Sequence, residues 1–196
     1  MALKNILRAH ILPLRNQLDV CAKENAEQLI CEKLIHSELF KKAVTVMSYM
    51  DFRNEVPVNL LNKSCLSEGK NLLLPYCVDQ ERMVAVSAEA LPDGNDKDRY
   101  GIRVPGQAMG RIVRPETIDL IIVPSVVYNR QCYRIGYGKG FYDRFLSSVR
   151  PDCIKIGVAY ELQIVNDHFQ EDYDIPTDVL ISEKKVYYHE HCKVRL

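Results

Sequence analysis

The stretch IDLIIVPSVVY, residues 118–128, limits what this chain can fold into more than any other part of it. Its apolar run, bracketed by Pro115 and Pro124, reads as a strand buried on both faces, the pattern of a parallel sheet covered by helices. Such a strand needs helices nearby, and the chain supplies them. Leu3, Leu7, Ile11, Leu14 and Leu18 recur at helical spacing over 2–17, with Pro13 expected to end or kink that helix. Residues 21–36 predict a second helix. SELFKKA predicts a short one capped by Ser37, and PVNLLNKSCL (57–66) one that opens on a proline. AVTVMSYM (43–50), NLLLPYCV (71–78), the weaker RMVAVSA (82–88), IKIGVAY (154–160) and one or two segments of 178–188 read as strands, and 90–106 as loop. Strands alternating with helices indicate an α/β fold with a mainly parallel sheet, taken as a single domain over 1–196.

Composition narrows the partners. Lys plus Arg and Asp plus Glu number 26 each, so no global basic excess argues for nucleic acid or a membrane surface. No apolar run is long enough for a transmembrane helix. Lys4, Arg8 and Arg15 interrupt any signal-peptide core. The seven cysteines (21, 31, 65, 77, 132, 153, 192) include no CxxC pair. Reduced thiols in a cytoplasmic protein are the simplest expectation.

One segment carries chemistry. RIGYGKGFYDRF (134–145) places three alternating glycines beside Arg134 and Lys139, after the strand over 118–124 and before a helix expected over 140–149. Glycines let successive N–H groups converge, and a strand–loop–helix junction in an open α/β sheet is where anions bind. The spacing GxGxG is neither GxGxxG nor GxxxxGK[ST], so the glycines alone also fit a tight turn that binds nothing. Asp143 adds information. Beside a phosphate a carboxylate is repelled unless a cation lies between, and Mg²⁺ uses one or two carboxylates plus phosphate oxygens. Glycines, cations and an aspartate together suit a nucleotide triphosphate with Mg²⁺. The acidic set Asp172, Asp174 and Asp178 reads by default as a solvated loop, and HEH (189–191) with Cys192 as a poor metal site.

DLIIVPSVVYNRQCYRIGYGKGFYDRFL (119–146) resembles the signature of the 5-formyltetrahydrofolate cyclo-ligase family. LKNILRAHIL, YMDFRNEV, YGIRVP and DYDIPTDVLISEKKVY resemble its other segments in the right order. The resemblance implies a three-layer α/β/α domain that cyclises 5-formyltetrahydrofolate to 5,10-methenyltetrahydrofolate, with ATP and Mg²⁺ as cofactors and release of ADP and phosphate. It implies ATP contacts from Lys4, Arg8, Arg134, Ile135, Gly136, Tyr137, Gly138, Lys139, Gly140, Phe141 and Tyr142. It implies folate contacts from Met50, Glu55 and 137–141, metal ligation by Asp143 and Asp174, and charge stabilisation by Lys139 and Arg134. Ser125, Asn129, the Gln131-Cys132 pair and Phe141 depart from the family's usual glycine, acid, glycine-containing turn and tyrosine. Small molecules are the expected partners, and the chain is expected to act as a monomer or weak homodimer. Two other readings stay open: a non-catalytic nucleotide- or RNA-binding relative, and a sugar-phosphate isomerase using the loop for a substrate phosphate.

Overall fold

A computed structural model describes residues 2–106 and 111–196. Helix α1 (Ala2–Asn16) opens the chain, followed by α2 (Val20–Ile35) and α3 (Glu38–Lys42). The Asp19 side chain accepts the Ala22 N–H to cap α2, and the Ser37 hydroxyl accepts the Phe40 N–H to cap α3. Pro13 neither ends nor displaces α1, which continues to Asn16.

The central sheet has eight strands. Its middle is parallel: β1 (Thr45–Met47) pairs with β2 (Asn71–Cys77) on one side and β5 (Leu120–Val123) on the other, and β5 continues through β8 (Ile154–Val158) to β10 (Val179–Ile181). Both margins are antiparallel, with β3 (Met83–Ser87) and β4 (Ile112–Val113) beyond β2, and β11 (Val186–Tyr188) beyond β10. Chain direction across the sheet reverses at β1, because β2 was added on one side and β5 on the other. The carboxyl ends of β1 and β5 therefore flank a topological switch point, the usual place for a ligand crevice.

Alternation along the strands builds two cores. Leu72, Leu74, Leu120 and Ile122 face Ile30, Leu34, Leu61 and Cys65 of α2 and α4 (Asn59–Ser67). Leu73, Ile121 and Val123 face the other way, toward Phe145 and Leu146 of α5 (Phe141–Leu146). Helices on both faces of a mostly parallel sheet match the expected α/β/α class. No helix among the described residues is long and apolar enough to cross a membrane.

Three expectations are corrected. The run 118–128 is not one strand, because Pro124 breaks it. Its second half, β6 (Val127–Asn129), leaves the sheet to form a small three-stranded one with β7 (Arg134–Ile135) and β9 (Ile164–Val165). The helix expected over 140–149 is only α5, six residues long. The helix expected to open on Pro57 begins at Asn59, with Val58 as its cap. Leu7 and Ile11 of α1 pack on Val126, Val127 and Ile135, so the first helix is fastened to the small sheet.

Candidate active site

Four segments converge beyond the switch point and enclose a cavity of about 640 Å³. They are the start of α1, the segment after β1, the run from β7 through the glycine loop into α5, and residues 171–174. Every residue to which the family resemblance gives a binding or catalytic role lines it: Lys4, Arg8, Met50, Glu55, the whole of 134–143, and Asp174. Phe52, Arg53, Cys77, Tyr100, Ser125, Glu171 and Tyr173 join them, and of these the sequence had marked only Ser125, as a departure from the family's usual glycine. The Tyr100 ring stands edge-on to Phe141 at 5.8 Å between centroids, forming an apolar wall.

The glycine loop is held by its carbonyls. Arg8 donates through Nε to the Gly136 carbonyl at 2.9 Å, and Arg144 donates to the Lys139 carbonyl at 2.7 Å. Gly138 and Gly140 take left-handed backbone, φ 91° and 66°. Among the described residues, none of the N–H groups from Gly136 to Gly140 has a hydrogen-bond partner. Lys139 stands exposed at the tip. These are unpaired donors ringed by cations, a concavity suited to an anion. The loop backbone and side chains supply it, since α5 is too short to add much of a helix dipole.

Both expected metal carboxylates are already matched with cations. Arg134, buried in β7, donates to Asp143 Oδ1 at 2.6 Å and to the Ile175 carbonyl at 2.5 Å. Lys4 bonds Asp174 at 2.5 Å and Glu171 at 3.1 Å. Burial alone would lower the Lys4 ammonium, but the two carboxylates outweigh it and hold it above its ordinary value. Among the described residues no three His, Cys, Asp or Glu side chains cluster as a metal site on their own. Asp178 belongs elsewhere, accepting the Lys155 N–H at 2.7 Å, and Asp172 is exposed. His189 and His191 meet edge-to-face near the C-terminus.

Glu55 owes its place to a strained turn. Residues 52–55 close with the Glu55 N–H donating to the Phe52 carbonyl at 3.0 Å, and both central residues, Arg53 and Asn54, have positive φ. Two non-glycine residues in that region cost free energy and persist only where surroundings hold them. Here Lys23 and Asn16 hold Asn54, and Arg15 holds the Arg53 carbonyl. Glu55 is 8% exposed, and burial pushes its carboxyl up to about 7, partly offset by the charge of Arg15 and the Phe52 N–H. The Tyr142 hydroxyl is buried without a partner among the described residues.

The sequence profile of the 5-formyltetrahydrofolate cyclo-ligase family matches residues 1–183. The chain belongs to that family. The probable 5-formyltetrahydrofolate cyclo-ligase of Schizosaccharomyces pombe is 26% identical over 196 residues, spanning 93% of this chain and 96% of the relative. The Haemophilus influenzae cyclo-ligase is 26% identical over 178 residues, 89% and 95% of the two chains. Among solved structures, the 5,10-methenyltetrahydrofolate synthetase of Aquifex aeolicus superposes with a TM-score of 0.83 at 31% identity, covering 99% of this chain and 96% of that one. The Mycoplasma pneumoniae synthetase gives 0.76 at 26%, covering 92% and 98%. Cyclo-ligase membership explains why an N-terminal helix, a strand end and a glycine loop far apart in sequence line one cavity.

Apart from Phe141 in the cavity wall, the departures from the family's usual residues serve the backbone here. The Ser125 hydroxyl donates to the Ile135 carbonyl at 2.8 Å, and Asn129 Oδ1 accepts the N–H groups of Gln131 and Tyr133, capping the β6–β7 hairpin. Cys132 is buried with φ 68°, and burial pushes its thiol up to about 12, which removes it as a nucleophile.

Proposed function

We propose that this cyclo-ligase family member closes 5-formyltetrahydrofolate to 5,10-methenyltetrahydrofolate at the expense of ATP. The reading is carried by the run of unpaired loop amides at the switch point, flanked by Lys4, Arg8, Arg134 and Lys139. That arrangement suits a polyphosphate. The neighbouring apolar wall of Met50, Tyr100 and Phe141, with buried Glu55, suits a heteroaromatic ring carrying hydrogen-bonding groups.

The reaction needs little covalent help from the protein. A formamide oxygen is a poor leaving group. Its attack on the γ-phosphorus of ATP releases ADP and leaves the oxygen as a phosphate ester. N10 then bonds to the formyl carbon, and phosphate and the N10 proton depart. The chain's work is alignment and charge stabilisation. The loop amides grip phosphate oxygens, Arg8 keeps the loop in shape through Gly136, and the exposed Lys139 ammonium stabilises charge on the phosphoryl group as it transfers. Glu55, half protonated near neutrality, can accept from or donate to the folate ring. Mg²⁺ is generally bound through one or two carboxylates beside a phosphate, so Asp143 and Asp174, now paired with Arg134 and Lys4, would hold it. When bound it would neutralise charge on the phosphates. The unpaired thiols suit a reducing cytoplasm.

The test is the absorbance of the methenyl-folate chromophore. It should rise with 5-formyltetrahydrofolate, ATP and magnesium together and stay flat when ATP is left out. A flat trace with all three present would overturn the proposal. Lys139→Ala should lower kcat roughly 10²–10³-fold with an unchanged melting temperature, because the side chain is exposed. A wild-type kcat would place that ammonium away from the transferring group.

A further inference from the structure

Arg15 is wholly buried, at 0% exposure, on the stripe that α1 turns inward with Leu7 and Ile11. It forms no salt bridge among the described residues. Its guanidinium instead donates to three loops at once: the Ser125 carbonyl after β5 at 3.1 Å, the Arg53 carbonyl after β1 at 2.8 Å, and the Tyr137 hydroxyl in the glycine loop at 2.5 Å. The cation also lies over the Tyr137 ring, 5.9 Å from its centroid, and Nε has no partner among the described residues. Burying a cation without a contacting carboxylate is costly, and a leucine at this position would fill the stripe without that cost. Packing alone does not account for an arginine there.

We propose that Arg15 is a positioning residue: it ties the Glu55 turn to the glycine loop through Arg53 and Tyr137, and its buried charge is the counter-charge of the Glu55 carboxylate. The groups facing Glu55 are few. Asp51, paired with Arg103, precedes its turn, Tyr49 follows β1, Tyr137 lies in the glycine loop and Tyr142 in α5, while the Tyr160 hydroxyl donates to the Glu55 carbonyl. The tyrosines are neutral at neutral pH and Asp51 is a like charge, so Arg15 is the cation that opposes the burial of Glu55. The folate half of the cavity and its phosphate half would thus share one rigid link.

The consequence for folate rests on the function proposed above; the link itself does not. Carbon-13 NMR of glutamate-labelled protein, with the Glu55 carboxyl assigned through Glu55→Gln, reads the titration without any substrate. Arg15→Gln should raise the Glu55 midpoint by about one pH unit, and Arg15→Lys should leave it near wild type. An unmoved midpoint in a folded Arg15→Gln protein would overturn the proposal. Should that variant fail to fold, a double-mutant cycle on folate KM with Arg15→Lys and Tyr137→Phe decides: non-additive effects support the link, and additive effects overturn it. Failure of the cyclo-ligase reading would show separately, as wild-type protein that makes no methenyl product.

Discussion

Glu55 works against the fold at the pH where the site is proposed to operate. Its ordinary value of 4.5 is raised to about 7 by burial, so between those values the native state binds more protons than the unfolded chain. Stability then falls as pH rises through that window, by up to about 3 kcal/mol once both states are ionised. Glu55→Gln should remove this slope. We expect it to be more stable than wild type at pH 8, by roughly 1–3 kcal/mol, equal to it near pH 4, and impaired in folate turnover. Urea unfolding at several pH values checks it, and parallel curves for the two proteins would show that the carboxylate is solvated. Nothing near Glu55 in the sequence marks it as buried, because the turn that sinks it uses Arg53 and Asn54 where glycine would be the usual choice. Arg15 left a faint trace. It stands four residues after Ile11, which itself follows Leu7 by four, a core-facing register broken by a charge. Reading Leu3 and Leu14 as the buried face hid it; both are about 40% exposed.

The elements were legible where one face alone decided them. Helix α2 and the parallel strands follow from apolar period and β-branched runs, since each buries what its own residues offer. What failed depended either on a partner distant in sequence or on polar side chains that compete with the helix locally. The run 118–128 looks continuous, yet past Pro124 the chain leaves the main sheet: Val127 pairs with Ile135 of β7, and Tyr128 with Ile164 of β9, some 36 residues on. Helix α5 stops after Leu146 although Val149 continues the apolar spacing, because Ser147 and Ser148 turn their hydroxyls back onto the Arg144 and Phe145 carbonyls. The glycine loop was legible as a loop, and its geometry separates its glycines. A Cβ at Gly136 would meet open space at an ordinary φ, whereas Gly138 has φ 91°. Gly136→Ala should therefore leave stability nearly unchanged. Gly138→Ala should cost about 1–2 kcal/mol, lower the melting temperature by a few degrees, and raise the KM for ATP as the amides turn away. Equal melting temperatures for the two variants would count against a fixed left-handed loop.

At the scale of the whole molecule, α1 is the piece that joins small sheet, main sheet and cavity: Leu7 and Ile11 pack on one, Arg15 bridges the loops of both, and Lys4 reaches residues 171–174. We infer that the chain opens as one unit, and its cysteines report on this. Cys21 is exposed and Cys192 half-buried, while Cys31 and Cys65 share one core and Cys132 and Cys153 lie in two others, all four with thiols that burial pushes up to about 12. Cys77 lines the cavity and would feel a ligand directly. Under an alkylating reagent, with mass spectrometry after digestion, Cys21 and Cys192 should label fast. The four core cysteines should label slowly and at a common rate, since each waits for global opening. Magnesium and ATP at a hundred times their dissociation constant should slow those four about 100-fold, the factor by which a ligand of the native state depletes the open one. Cys153 labelling ahead of Cys31 and Cys65 would split the chain into two units, and four rates indifferent to magnesium and ATP would leave the glycine loop without its polyphosphate.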